Sequence, residues 1–177
     1  MFLMFSKTEL APSFGTVFSE QVEVSGSHAS FKCLALGQPI PTIKWKIDGI
    51  QVTNTRRYNI QSLMTPDGKG SISIFNIQSL TTKVSVSHSE QLTHITDLLQ
   101  DGGSYECIAS NSAGTVSHKS RVNIIGPPGI KYIENMTAIQ GDTFTLDCPY
   151  YGYPIDEVYF TKGKVILIFS ESAMLNL

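Results

Sequence analysis

Three cysteines and four histidines are the side chains of this chain best suited to redox chemistry or metal binding. The cysteines are Cys33, Cys107 and Cys148, and no two of them form the C-x-x-C motif of redox or zinc sites. The histidines at positions 28, 88, 94 and 118 do not stand at ligand spacing from the cysteines. We therefore expect no metal site. Three cysteines allow one intramolecular disulfide, but their number does not identify the pair.

The sequence also lacks an arrangement suited to catalysis. It contains neither a G-x-S-x-G nucleophile motif nor a glycine-rich phosphate loop before a helix. The adjacent acids Asp156 and Glu157 follow Pro154 in a predicted turn, where water solvates them. We predict that the chain is not an enzyme and needs no cofactor.

Composition narrows the class of partner. The chain has 177 residues and a net charge of -2, so it lacks the basic excess of a nucleic-acid-binding protein. Hydrophobic residues make up 41% and charged residues 16%, which favours a packed core over disorder. The first residues resemble no export signal, and no apolar run reaches the roughly 20 residues of a membrane helix. The sequence is thus either intracellular or a piece of a longer protein.

The elements that must position these residues are short strands. Ala29, Phe31, Cys33 and Ala35 alternate with polar neighbours, as in a strand with one buried face. Trp45 lies in a similar alternation. The predicted strands cover residues 17–24, 28–35, 42–47, 58–62, 72–77, 91–97, 104–110 and 115–125. Short strands separated by turn signals predict an all-β sandwich of two sheets.

A repeated phrase divides the chain into two units. Cys33 and Cys148 are each followed by Gly at the fourth position, Pro-Ile at the sixth and seventh, and an aromatic residue at the twelfth. That aromatic residue is Trp45 in the first copy and Phe160 in the second. The sequence Ile125-Gly-Pro-Pro-Gly-Ile130 lies between them as a short, stiff joint. We predict one complete domain at 10–125 and a truncated second domain at 128–177.

The segment before the second cysteine has the form D-x-G-x-Y-x-C. In a sandwich, Tyr105 would turn its ring into the core and return its hydroxyl group to the backbone. Gly103 would permit a tight turn. Asp101 would form an ion pair with a basic residue, for which Arg56 and Arg57 are both available.

These motifs resemble the intermediate set of the immunoglobulin superfamily. The residues within and around them are most similar to arthropod Dscam, the Down syndrome cell adhesion molecule family. The resemblance implies a Cys33–Cys107 disulfide with Trp45 packed against it. Such a bridge, at a separation of 74, contributes on the order of 4 kcal/mol in the chain-entropy model. It also implies an extracellular, glycosylated part of a membrane receptor that binds a second copy of itself and guides neurites and axons. The binding surface is expected among the exposed residues of the ranges 17–24 and 57–91.

Two other functions fit the same fold. One is an intracellular structural module of the titin type, and the other is a soluble immune-recognition protein of arthropods. The triplet Asn135-Met-Thr137 is an N-glycosylation sequon, which would require the secretory pathway.

Several features depart from the resembled pattern. The Cys33–Cys107 separation is longer than is usual, and we place the surplus within residues 57–91. There Tyr58-Asn-Ile-Gln-Ser-Leu63 is nearly repeated as Phe75-Asn-Ile-Gln-Ser-Leu80, either by chance or because two alternative coding segments are joined. A long loop or extra edge strands would give the same surplus. In addition, the tail after Lys162 does not continue the domain pattern, and we interpret it as non-native sequence.

Overall fold

The computed structural model describes residues 9–81, 101–131, 133, 135–140, 143–168 and 172–176, and all their regular elements are strands. The predicted strand at 91–97 lies outside the described residues. The strands are β1 (Leu10–Thr16), β2 (Gln21–Val24), β3 (Ala29–Gln38), β4 (Thr42–Ile47), β5 (Ile50–Gln51), β6 (Tyr58–Met64), β7 (Gly70–Ile77), β8 (Gly103–Asn111), β9 (Gly114–Ile130), β10 (Thr143–Asp147), β11 (Tyr150–Tyr153), β12 (Phe160–Lys162), β13 (Val165–Ile168) and β14 (Ser172–Asn176).

Two sheets enclose the core. The first has the order β1-β3-β7-β6, with antiparallel neighbours throughout. The second has the order β11-β9-β8-β4-β5, and β2 also pairs with β9, in parallel. The prediction of an immunoglobulin-like β-sandwich is confirmed.

Aromatic rings fill the space between the sheets because alternate residues of each strand point inward. The side chains of Phe31, Trp45, Phe75 and Tyr105 are fully buried. The ring centroids of Phe31 and Tyr105 are 4.8 Å apart, and those of Trp45 and Phe75 are 5.6 Å apart. Trp45 Nε1 donates a hydrogen bond to Ser73 Oγ at 2.9 Å, so the only polar atom of the indole is satisfied in the core.

The N-terminal segment differs from the single strand predicted at residues 17–24. β1 pairs with β3 in the first sheet, whereas β2 pairs with β9 in the second. Residues 17–20 therefore cross between the sheets and cannot continue either ladder. Phe18 lies at this crossing with its side chain buried, and its carbonyl oxygen is 2.8 Å from His118 Nε2.

Much of the range 57–91, in which the sequence places the surplus of the Cys33–Cys107 separation, is regular sandwich, because β6 and β7 lie within it. β6 and β7 pair in register, with Tyr58 opposite Ile77 and Ile60 opposite Phe75. The two similar hexapeptides thus begin in neighbouring strands that both face the core. The described chain reaches Thr81 and resumes at Asp101, where Asp101 N donates a hydrogen bond to Thr81 O at 3.1 Å. The two residues that flank positions 82–100 are thus hydrogen-bonded to each other, and we call positions 82–100 the surplus segment.

The joint predicted at residues 125–130 belongs to a strand, since β9 continues to Ile130 and pairs there with β11. Glycines allow the close approach of β9 and β11. A Cβ atom at Gly129 would collide with the Tyr151 side chain, and one at Gly152 would collide with the Pro127 carbonyl group. Beyond β9, β10 pairs with β14 and β12 with β13, each as a separate two-stranded sheet.

Candidate functional site

The carboxylate of Asp101 organises the end of the sandwich from which the surplus segment departs. Asp101 is fully buried and forms an ion pair with Arg57. Its Oδ1 accepts a hydrogen bond from the Tyr58 hydroxyl at 2.8 Å, and its Oδ2 accepts one from Thr81 N at 2.8 Å. Arg57 also donates to Ser79 O at 2.8 Å. The sequence offered both Arg56 and Arg57 as ion-pair partners of Asp101, and the structure shows that Arg57 is the partner.

Two phenols complete this network. The Tyr105 hydroxyl donates to Asp101 O at 2.6 Å, and the ring is fully buried. Burial, with the Asp101 charge as a second cause, raises the pKa of Tyr105 well above its ordinary value. Burial also raises the pKa of Tyr58, and the Asp101 carboxylate adds to the shift. Both phenols therefore remain protonated donors, and the network ties strands together without supplying a nucleophile.

Gly103 occupies a position where a side chain would meet the Asp48 carboxylate. Asp48 Oδ1 accepts a hydrogen bond from Ser104 N at 2.8 Å, so the turn after β4 is held close to the start of β8. The physical need for glycine is this close approach.

The Cys33–Cys107 disulfide joins the two sheets, with an S–S distance of 2.09 Å. Both cysteines and the Trp45 side chain are fully buried in the same cluster. The predicted pairing is thus confirmed. Cys148, which begins the second copy of the repeated phrase, is half-buried.

The described residues contain no group of three or more His, Cys, Asp or Glu side chains that could hold a metal ion. Within the same part of the chain, no helix is both long and apolar enough to cross a membrane.

The outer face of the first sheet carries an apolar row. Strand register places Leu34 opposite Ile72, and Ile72 opposite Leu63, so these residues cross β3, β7 and β6 side by side. They alternate with the inward-facing residues of each strand. Leu63 is 55% exposed, and Leu36 extends the apolar area along β3. We call Leu34, Leu36, Leu63 and Ile72 the apolar face.

The outer face of the second sheet has a different character. Register aligns Lys46 with Glu106 and Glu106 with Lys119, which gives a row of alternating charge. A row of this kind remains solvated at little cost. Covering the apolar face with another protein surface, by contrast, removes apolar area from water and is favourable.

Both surfaces expected from the sequence contain exposed apolar residues. Val22 and Val24 are exposed on β2, and Leu63 is exposed within the range 57–91, where Ile72 is half-buried. Leu34 and Leu36 were missed, although apolar residues at the outward positions of an alternating strand are the signal that indicates them.

A family model described as "Immunoglobulin domain" matches residues 12–111. The chain belongs to the immunoglobulin domain family. This family consists of binding and structural modules without catalytic chemistry, which confirms the expectation of a non-enzyme.

Among curated proteins, the chain is similar to cell adhesion molecule Dscam2 of Drosophila melanogaster, with 37% identity over 146 residues. That match covers 82% of this chain and 6% of the relative. Human cell adhesion molecule DSCAM is 31% identical over 159 residues, which are 90% of this chain and 7% of that protein. The chain thus spans only a small part of these relatives, and the resemblance to the Dscam family is confirmed.

Solved structures agree with this relationship. The crystal structure of the N-terminal eight immunoglobulin domains of DSCAM isoform 1.30.30 has a TM-score of 0.76 and 27% identity. The alignment covers 94% of this chain and 20% of that one. Titin domain M7 has a TM-score of 0.52 and 25% identity, with 68% of this chain and all of that chain covered. The titin match shows the same fold over a smaller part of the chain.

Proposed function

We propose that this chain is an extracellular part of a cell-surface adhesion receptor and that it binds a second copy of itself through the apolar face. The row of Leu34, Ile72 and Leu63 is the observation that supports this proposal most directly. The similarity to cell adhesion molecules of the Dscam type supports the class of receptor. That resemblance also extends the proposal to neurite and axon guidance.

The dimensions of the first sheet limit the strength of this contact. Four strands about 4.8 Å apart and roughly 25 Å long present about 500 Å² per copy. Two such faces bury about 1,000 Å², at the lower limit of a specific interface. A pair of copies related by a twofold axis brings each apolar row against its counterpart, since a twofold interface uses the same surface on both partners. The expected contact is homophilic and weak.

The Cys33–Cys107 disulfide supports extracellular placement, because such bridges persist in oxidising compartments. The same bridge argues against the intracellular titin-type alternative. We also propose that residues 10–125 are one complete domain and that residues 128–177 begin a second. The closed core of the first sandwich and the separate two-stranded sheets after β11 support this division.

Beads coated with the secreted chain test homophilic binding. Beads in two colours should form mixed clusters, and Leu63→Ser should abolish the clusters because it interrupts the apolar face without entering the core. Ile50→Ser is the matched control, since Ile50 is 75% exposed in β5 of the other sheet. Unchanged clustering by Leu63→Ser, or equal loss with Ile50→Ser, would contradict the proposed surface.

A further inference from the structure

The sequon Asn135-Met136-Thr137 lies in the connection between the end of β9 at Ile130 and the start of β10 at Thr143. Residues 135–139 belong to no strand, and all of them are exposed. A bulky glycan needs an exposed asparagine in the folded protein, and the exposed position of Asn135 leaves room for one. Both the sequence and the local structure therefore suit modification of Asn135.

We propose that Asn135 is an N-glycosylation acceptor, an inference that rests on the proposed extracellular placement. The co-reactant is a lipid-linked oligosaccharide diphosphate. The Asn135 Nδ2 atom forms a bond to the anomeric carbon of the sugar while the bond from that carbon to the diphosphate oxygen breaks. The amide loses one proton, and the lipid diphosphate is the leaving group. Thr137 supplies the hydroxyl group that the sequon requires.

The apolar residues around the sequon provide an independent reason for a glycan. Met136 is 53% exposed and Ile139 is 68% exposed, although neither belongs to the apolar face of the first sheet. A bulky, hydrated glycan on the neighbouring Asn135 would cover these side chains from other protein surfaces.

The start of this connection is anchored to the first sandwich. Lys131 Nζ lies 2.5 Å from Asp48 Oδ2, both side chains are largely buried, and Lys131 N donates to Pro149 O at 2.7 Å. Asn135 follows Lys131 by four positions, so its Cα atom lies within about 14 Å of the Lys131 Cα atom. Asp48 belongs to the turn between β4 and β5 of the second sheet. The attachment point is therefore tethered close to the Asp48 turn, whereas the apolar face belongs to the first sheet.

The test is secretion of the full chain from eukaryotic cells behind a cleavable export signal. Release by a glycosidase in heavy-oxygen water, followed by peptide mass spectrometry, should convert Asn135 to labelled Asp. Asn135→Gln and Thr137→Ala should remove the modification, whereas Thr137→Ser should retain it. Detection of the Cys33–Cys107 disulfide in each secreted variant shows that the first sandwich has folded.

An unmodified Asn135 in secreted, disulfide-bonded protein would overturn the inference, as would a glycan that persists after Thr137→Ala. Because the export signal is supplied, this result is independent of the bead assay. A glycosylated chain that does not cluster would contradict homophilic adhesion alone, and a clustering chain without a glycan would contradict the acceptor site alone.

Discussion

Deletion of residues 84–100, so that Lys83 precedes Asp101 directly, should leave the first sandwich folded and make it more stable. Asp101 N donates to Thr81 O at 3.1 Å, and Thr81 N donates to Asp101 Oδ2 at 2.8 Å. In the shortened chain, Thr81 and Asp101 become the first and fourth residues of a turn. A hydrogen bond from the fourth N–H to the first carbonyl group is the usual closure of a β-turn. The deletion therefore requires no movement of β7 or β8.

The gain in stability comes from loop closure. The sequence separation between the joined ends falls from about 20 to three, and (3/2)RT ln n then gives about 1.7 kcal/mol in favour of the deletion variant. Short loops deviate from this relation, so we expect a gain of about 1–2 kcal/mol and a rise in melting temperature of roughly 5–10 °C.

Urea unfolding with intact disulfide measures this difference, and the single tryptophan, Trp45, reports on the core by fluorescence. A control in which residues 84–100 are replaced by a Gly/Ser segment of equal length should unfold at the wild-type midpoint, since loop length is unchanged. A second control, deletion of residues 65–81, removes β7 at the same chain length and should abolish cooperative unfolding. Destabilisation by the 84–100 deletion, or a stability gain in the Gly/Ser control, would refute the reasoning.

Three further predictions concern the ion pairs and the phenol. Folding raises the pKa of Tyr58 above its ordinary value of 10.0, so the folded state retains a proton which the unfolded chain loses, and the free energy of unfolding should fall above about pH 10. Tyr58→Phe should make that fall shallower in urea titrations without removing it, because the pKa of Tyr105 is raised as well; an unchanged fall would contradict the role of Tyr58. Arg57→Ala should lower the free energy of unfolding by about 3 kcal/mol, because it leaves the buried Asp101 carboxylate without its cation. Arg57→Lys keeps the positive charge and should lower it by less in the same urea assay. Equal losses in the two variants would show that charge is not the cause. Lys131→Met removes the ion pair with Asp48 and should therefore accelerate hydrogen exchange in the β9–β11 ladder. Exchange in β3 should stay constant. Unchanged exchange in β9 would contradict an anchoring role of Lys131.

The parts of the fold that could be predicted are those with one buried and one solvated face. Phe31, Cys33 and Ala35 alternate with polar neighbours because β3 covers the core on one side only. The D-x-G-x-Y-x-C motif was informative for a related reason. The Tyr105 hydroxyl donates to the backbone carbonyl of Asp101, four residues earlier, so the spacing of the motif itself reflects this local contact.

The parts that could not be predicted depend on contacts between distant segments. The crossing at residues 17–20 is set by which sheet has an open edge, and no local pattern records that choice. Arg56 and Arg57 are adjacent, and only the direction of the chain before β6 decides which one meets Asp101. The role of Gly103 depends in the same way on Asp48, which lies far away in sequence.

The small area of the apolar face has a consequence for the proposed receptor. An interface of about 1,000 Å² supports only weak binding, so one copy of this chain should dimerise poorly in solution. Linking a second binding module makes the next contact intramolecular, and effective concentrations in the millimolar range raise avidity by about 10²–10⁴. The chain spans 6% of Dscam2 and 7% of human DSCAM, and such length provides room for many modules. Adhesion through Leu34, Ile72 and Leu63 is therefore expected to depend on how many copies act together, because each single contact is weak.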